Sequence, residues 1–161
     1  MQIIIRSLQD NDYPQMMTID QLVFNSATTP APMRQVTLEE YAGHYTSDNV
    51  FVAELEGRVA GYIGFHNPTG LASNSHVMEI YIAVHPDYQK MGVGRELMQH
   101  IIRYGKQNGY KKISLRVLSS NQKAIAFYKT IGFLEQGRLV REFILDGNYV
   151  DDVLMYLLLE C

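Results

Sequence analysis

Cysteine is almost absent from this sequence: Cys161, the last of the 161 residues, is the only one. A single thiol excludes an internal disulfide framework and a multi-cysteine metal site, and a chain end is a poor position for a cysteine nucleophile held in a core. We therefore expect a protein of a reducing compartment, the cytoplasm.

A surplus of positive charge is also missing, since 17 Asp and Glu residues outnumber 14 Lys and Arg residues, a formal net charge of −3. Proteins that bind phosphate backbones usually carry a basic excess. No segment reaches the roughly 18–20 apolar residues of a membrane span. Residues 2–6 lack the layout of a signal peptide. We expect neither a nucleic acid nor a membrane as partner.

The remaining composition is that of an ordinary folded domain. Hydrophobic residues make up 47% of the chain and charged residues 19%, which separates it from disordered tails. The length suits one domain with a sizeable core. We expect residues 1–161 to form a single domain.

Segments with strand and helix patterns predict the element order β-α-α-β-β-β-α-β-α-β-β, an α/β fold. Residues 77–84 are apolar on both faces and are expected to form a buried central strand. Thr37 followed by Glu40 fits a capping box at the second helix, after a loop or broken helix over 25–36. The predicted strands are 3–6, 51–55, 59–63, 77–84, 112–118, 139–145 and 149–159, and the other helices cover about 10–24, 94–108 and 121–131.

Two glycines at a predicted strand-to-helix turn, Gly92 and Gly94, let successive N–H groups point into one concavity. Together with the helix N-terminus and Lys90 or Arg95, these donors would hold a phosphate. A Walker loop is excluded because its Gly-Lys-Ser/Thr ending is missing. A dinucleotide fingerprint is excluded because Leu97 stands where its third glycine belongs and no acidic residue lies about 20 residues further on.

Two motifs in this region resemble those of the GCN5-related N-acetyltransferase (GNAT) family. The resemblance covers 77–133 well, reaches both chain ends loosely, and keeps the family's order of elements. The motifs are Gln89-x-x-Gly92-x-Gly94 and Asn121-x-x-Ala124-x-x-Phe127-Tyr128-x-x-x-Gly132-Phe133.

The resemblance implies a mixed, mostly antiparallel central sheet with a splayed fourth strand, flanked by about four helices. It also implies an enzyme that transfers acetyl directly from acetyl-CoA, without a metal, to a primary amine. The acceptor would be a small amine, an amino acid or a protein N-terminus, and a homodimer is possible.

The resemblance also implies which residues bind acetyl-CoA. Main-chain groups of the splayed strand would hold the pantetheine arm and polarise the acetyl oxygen, and the glycine loop would take the pyrophosphate. The implied residues are Ile82, Ala83, Val84, Gln89, Lys90, Met91, Gly92, Val93, Gly94, Arg95, Asn121, Ala124 and Tyr128.

Two residues are implied as catalytic. The phenol of Tyr128 can protonate the departing thiolate. The acceptor arrives as an ammonium with a pKa of about 8 to 10.4 and must lose a proton. Many relatives carry a glutamate at the position of Glu79, our candidate base, although the family does not fix this residue and some members use bulk water.

Structural explanations stay open for each of these residues. Tyr128 also belongs to an apolar helical stripe, Asn121 is a good helix N-cap, and Glu79 fits a solvated or paired strand residue. Gly92 and Gly94 fit an ordinary tight turn.

The acceptor is expected between the segment 24–45, which includes His44, and the last hairpin. Acidic residues of that hairpin would attract a cationic amine, or they form a solvated turn. A non-catalytic acyl-CoA-binding regulatory module and a nucleotide- or phosphate-binding switch protein are the alternative functions. The acidic residues are Glu142, Asp146, Asp151 and Asp152.

Overall fold

A mixed β-sheet forms the centre of the computed structural model, which describes residues 2–25, 28–30 and 36–160. Cys161 and residues 26, 27 and 31–35 of the predicted loop lie outside the described residues. The strands are β1 (Ile3–Ser7), β2 (Val50–Leu55), β3 (Arg58–His66), β4 (Val77–Val84), β5 (Lys112–Leu118), β6 (Leu134–Leu145) and β7 (Asn148–Leu158). The helices are α1 (Tyr13–Val23), α2 (Leu38–Ala42), α3 (Val93–Gln107) and α4 (Gln122–Ile131).

The sheet runs in the order β1-β2-β3-β4-β5-β7-β6. Neighbouring strands are antiparallel except β4 and β5, which are parallel. The parallel pair is short: Val77, Met78 and Glu79 pair with residues 112–114. Beyond Glu79, β4 keeps its register with β3 but has no partner in β5 among the described residues. The mostly antiparallel sheet and the splayed fourth strand are therefore confirmed.

Helices cover the two faces of the sheet. The stripe Leu97, Met98, Ile101 and Gly105 of α3 is buried against one face, as its helical spacing predicts. On the other face, α1 and α2 pack against β2 and β3. None of the described helices is long and apolar enough to cross a membrane.

Local signals explain where several elements begin and end. Thr37 accepts a hydrogen bond from the N–H of Glu40 at 3.1 Å and so caps α2; the Glu40 carboxylate in turn accepts from the Thr37 hydroxyl at 3.3 Å. Gly132, with a φ of +118°, ends α4.

The predicted start of β6 at 139 is wrong, because the strand begins at Leu134. Register shifts interrupt its pairing with β7 between Glu135 and Gly137 and between Leu139 and Phe143. Extra residues of this kind break the alternation of inward and outward side chains. The first half of β6 therefore lacks the sequence pattern of a strand.

Candidate active site

The divergence of β4 and β5 opens a groove of about 1070 Å³. The groove brings together every predicted cofactor residue except Met91. The side chain of Met91 is exposed and lies outside the lining. Segments far apart in sequence thus meet because one parallel strand pair separates after three residues.

One wall of the groove is the open edge of β4. Ile82, Ala83 and Val84 line it, and on their other side they pair with β3. In a continuous sheet the main-chain groups that face β5 would be used by that strand. Here they are available to a ligand, which is the arrangement that the resemblance implies for a pantetheine arm.

The next part of the wall is the loop before α3. Gly92 has a φ of +88°, a conformation that residues with a Cβ rarely adopt. The first intrahelical bond joins the Glu96 N–H to the Gly92 carbonyl at 3.0 Å. The N–H groups before Glu96 therefore lack intrahelical partners, as in any first helical turn.

The part of the groove at the glycine loop also carries positive charge and a close contact between two helices. Lys90 and Arg95 line the groove, are exposed, and form no ion pair with another described residue. A Cβ on Gly94 would lie 3.2 Å from Cζ of Phe127, so glycine lets α3 approach α4 closely. Donors, cations and a helix N-terminus at one place suit a pyrophosphate.

A third cation at this end, Lys123, was missed by the sequence reasoning. Its Nζ donates to Oε1 of Gln89 at 3.1 Å and so joins α4 to the glycine loop. The Gln89 amide also reaches the Val84 carbonyl at 3.5 Å. Lys123 lies two residues after Asn121, in the first turn of α4, and this position was the sequence signal that could have indicated it.

Asn121 has the capping role that the sequence allowed. Its Oδ1 accepts the N–H of Ala124 at 3.3 Å at the start of α4. Both residues also line the groove, so capping and contact with a ligand are compatible.

Tyr128 lies on the groove wall, partly buried between Phe127 and Phe133, with ring centroids 5.6 and 5.9 Å away. Its hydroxyl has no hydrogen-bond partner among the described residues. Burial raises the pKa of Tyr128 to about 12. At neutral pH the group is therefore a protonated phenol with a free donor beside the groove.

Glu79 lies apart from the groove. It lines a neighbouring cleft of about 360 Å³, and its Oε2 lies 2.9 Å from Nε2 of His66. The groove and the cleft share two lining residues, Leu115 and Arg116. Glu79 is the last β4 residue paired with β5, so it lies where the sheet is still continuous.

The far end of the groove combines apolar and charged residues. Arg116 of β5 contacts Asp152 of β7 there, and neither Arg116 nor Phe143 was singled out from the sequence. Among the four acidic residues expected at the acceptor, only Asp152 lines the groove. Asp151 is engaged by Arg138 and by the N–H of Arg141, and His44 is exposed outside both cavities. The groove is also lined by Leu22, Val23, Phe24 and Thr28.

No group of three His, Cys, Asp or Glu side chains within the described ranges is arranged to hold a metal ion. This includes the histidines of residues 36–160.

Comparisons with known proteins agree with this geometry. The model of the acetyltransferase (GNAT) family matches residues 13–133. An N-alpha-acetyltransferase from Sulfurisphaera tokodaii is 32% identical over 155 residues, which cover 89% of this chain and 87% of that protein.

Two solved structures have the same fold. The structure of smu.2055 from Streptococcus mutans has a TM-score of 0.90 and 30% identity, and covers 98% of this chain and 99% of that one. The structure of yncA from Salmonella typhimurium, which contains acetyl-CoA, has a TM-score of 0.85 and 23% identity, and covers 100% of this chain and 96% of that one. The chain belongs to the GNAT acetyltransferase family and is an N-acetyltransferase with acetyl-CoA as its donor.

Proposed function

We propose that the groove between β4 and β5 is where an acetyl group passes from coenzyme A to a primary amine of a small molecule or peptide. The observation that carries this proposal is the open edge of β4, which faces the same groove as the glycine loop and Tyr128. The thioester supplies an activated acetyl group. The whole chain, 1–161, is proposed to act as one domain.

The residues of the groove fit this donor. The edge formed by Ile82, Ala83 and Val84 would bind the pantetheine arm, and one of its N–H groups would donate to the acetyl oxygen. Asn121 and Ala124 would contact the same arm from α4. The segment 89–95 would bind the pyrophosphate through main-chain N–H groups and the cations Lys90 and Arg95.

Tyr128 is proposed as the general acid. A thiolate leaves during transfer, and the phenol of Tyr128, which carries its proton at neutral pH, can donate that proton to it. Its free hydroxyl on the groove wall supports this role. A purely structural residue of the same stripe would need no hydroxyl at this place.

Glu79 is proposed as the base that removes the acceptor's proton. Because Glu79 lies in the neighbouring cleft, we propose that it acts through water across the boundary at Leu115 and Arg116. Its partner His66 would hold the carboxylate in position. The proton leaves the amine before attack on the thioester carbon.

The function is tested by coenzyme A release from acetyl-CoA with polyamines, amino acids, aminoglycosides and peptides with free N-termini. We expect release with at least one class. Tight binding of acetyl-CoA without release from any amine would favour the regulatory module. Tighter binding of ATP or NAD than of acetyl-CoA would favour the nucleotide switch.

The role of Glu79 is tested by Glu79→Gln with Glu56→Gln as control, because Glu56 is exposed on the β2–β3 hairpin and lines neither the groove nor the cleft. We expect Glu79→Gln to lower kcat at pH 7 by about 10- to 100-fold. The deficit should shrink as the pH approaches the pKa of the acceptor amine, because the amine then loses its proton unaided. A deficit that is constant with pH would contradict a role as base.

The proposal extends to the setting of the enzyme: a cytoplasmic homodimer that binds neither nucleic acid nor membrane. The scarcity of cysteine supports a reducing compartment. Exposed apolar side chains on the β6–β7 hairpin, Val140, Ile144 and Tyr149, support contact with a second copy. Light scattering after size exclusion should give twice the monomer mass of 18.4 kDa. The variant Val140→Glu should reduce the measured mass to that of one monomer.

A further inference from the structure

Arg116 and Asp152 form an ion pair at the far end of the groove. Nε and Nη2 of Arg116 approach the same oxygen, Oδ2 of Asp152, at 2.8 and 2.5 Å. The Asp152 side chain is 7% exposed, whereas the Arg116 side chain is 50% exposed. A buried carboxylate thus holds a half-exposed guanidinium, and Arg116 lines both the groove and the neighbouring cleft.

The ion pair with Asp152 does not use all the N–H donors of Arg116. Nη1 takes no part in the contact with Asp152, and a guanidinium carries five N–H donors in a rigid fork. A planar fork of this kind matches the two oxygens of a carboxylate. Because Asp152 already restrains the side chain, a ligand would lose little additional conformational freedom of Arg116 on binding.

The position of Arg116 relative to β4 bears on the size of the ligand. Glu79 pairs with Ser114 in the last step of the parallel ladder, and the two strands separate beyond it. Tyr81 on β4 and Arg116 on β5 each lie two residues further along their strand, and both line the groove. One small molecule with an amine and an anionic group therefore fits contact with both the β4 edge and Arg116.

Apolar residues also line the groove. They include Leu22 and Phe24 from the end of α1 and Phe143 from β6. They offer contact to an apolar side chain. A polyamine would instead bring a second ammonium close to the guanidinium of Arg116, and the two positive charges would repel each other.

We infer that Arg116 is a specificity-determining residue that binds the carboxylate of a free α-amino acid with an apolar side chain, the acceptor of this enzyme. This inference rests on the proposed function. In such an acceptor a single carbon separates the amine from the carboxylate. The amine faces the open edge of β4 while the carboxylate receives N–H donors from the fork of Arg116.

The test compares acceptors that differ only at the carboxyl group: L-leucine, L-leucinamide, 3-methylbutylamine and the dipeptide Leu-Gly. Coenzyme A release gives kcat/KM for each. We expect L-leucine to be at least about 10-fold better than the other three, because a site built for a hydrogen-bonding group rejects analogues that lack it. Equal rates for leucine and 3-methylbutylamine, or a preference for Leu-Gly, would overturn the inference.

The residue is tested by Arg116→Gln, with Arg58→Gln as control, because Arg58 is exposed and lines neither the groove nor the cleft. We expect Arg116→Gln to raise KM for leucine by about 10- to 100-fold. The leucine preference, which is kcat/KM for leucine divided by kcat/KM for each of the other three acceptors, should fall to about one. Arg58→Gln should keep the preference. Because loss of Arg116 leaves Asp152 without its cation, Arg116→Lys is the second variant, and it should restore only part of the preference. A full preference in Arg116→Gln would overturn the inference.

Calorimetry with the product N-acetyl-L-leucine separates this inference from the proposed function. Release of coenzyme A with amines, but no product binding that depends on Arg116, would overturn the inference alone. Binding that Arg116→Gln abolishes, without release from any acceptor, would support the carboxylate site and contradict the transferase. Absence of both would overturn both.

Discussion

The carboxylate of Asp20 accepts a hydrogen bond from the hydroxyl of Tyr41 at 2.6 Å inside the layer that joins α1 and α2 to the sheet. The hydroxyl of Tyr62 on β3 donates to the other oxygen of the same carboxylate. Burial raises the pKa of Asp20, and the two tyrosine donors oppose this shift. Two helices and a strand thus meet at one buried acidic group, two residues before the part of α1 that lines the groove.

Removing a tyrosine hydroxyl from this group should destabilise the fold. We expect Tyr41→Phe to lower the free energy of unfolding by about 1–3 kcal/mol, because the buried carboxylate loses a donor and gains no water. Tyr156→Phe is the control, since the Tyr156 hydroxyl forms no hydrogen bond with another described residue and its removal should change stability by less than about 0.5 kcal/mol. Urea unfolding measures both. Equal values would show that Tyr41 contributes only its ring.

A second acidic group, Asp12, should make stability depend on pH. Burial acts to raise the pKa of Asp12, but hydrogen bonds from Arg6 and from the Gln9 N–H, together with the charge of Arg6, lower it overall. A carboxyl group with a lowered folded pKa stabilises the protein above its unfolded pKa of about 3.9. That contribution is lost as the pH falls through the folded pKa.

Asp12→Asn therefore tests the sign of this effect. We expect the variant to be about 1–3 kcal/mol less stable than the wild type at pH 7, with the difference shrinking below about pH 4. The control is Asp48→Asn, which removes an exposed carboxylate. A difference that grows on acidification would contradict the lowered pKa of Asp12.

Several elements could be predicted because their signals are local. β4 and β5 have the predicted bounds, since β4 is a mostly apolar run and β5 alternates polar and apolar residues. The glycine loop and Asn121 were found because a turn and a helix cap depend on adjacent residues. Arg116 has no such signal: its place in the groove follows from the separation of two strands and from a partner 36 residues away.

The position of Glu79 illustrates the same limit. Its place on the strand 77–84 could be predicted, but which cavity it lines depends on where the parallel pairing stops. Phe143 was missed because it follows a register shift in β6. Pairing between distant strands, which no short window of sequence records, decides both positions.

Gly92 should be required for cofactor binding. A valine there would be strained at a φ of +88° and would change the loop that presents its N–H groups, so we expect Gly92→Val to weaken acetyl-CoA binding by about 10-fold or more. Gly109, with a φ of +82° at the other end of α3, is a matched control, since neither glycine has a neighbour within 4 Å of an added Cβ. Calorimetry should show unchanged affinity in Gly109→Val. Equal losses in both variants would indicate a general effect of strain.

The Tyr128 hydroxyl should affect the chemical step and not the binding of acetyl-CoA. Tyr128→Phe keeps the ring between Phe127 and Phe133 and removes only the hydroxyl, so we expect kcat to fall by about 10- to 1000-fold with nearly unchanged acetyl-CoA affinity. The control is Tyr104→Phe on α3, whose ring packs against Phe51 and Phe65 outside the groove. If the phenol protonates the leaving thiolate, a thioester with a more acidic thiol should be affected less by its loss. An unchanged kcat, or an equal loss for both thioesters, would contradict the role of Tyr128 as the acid.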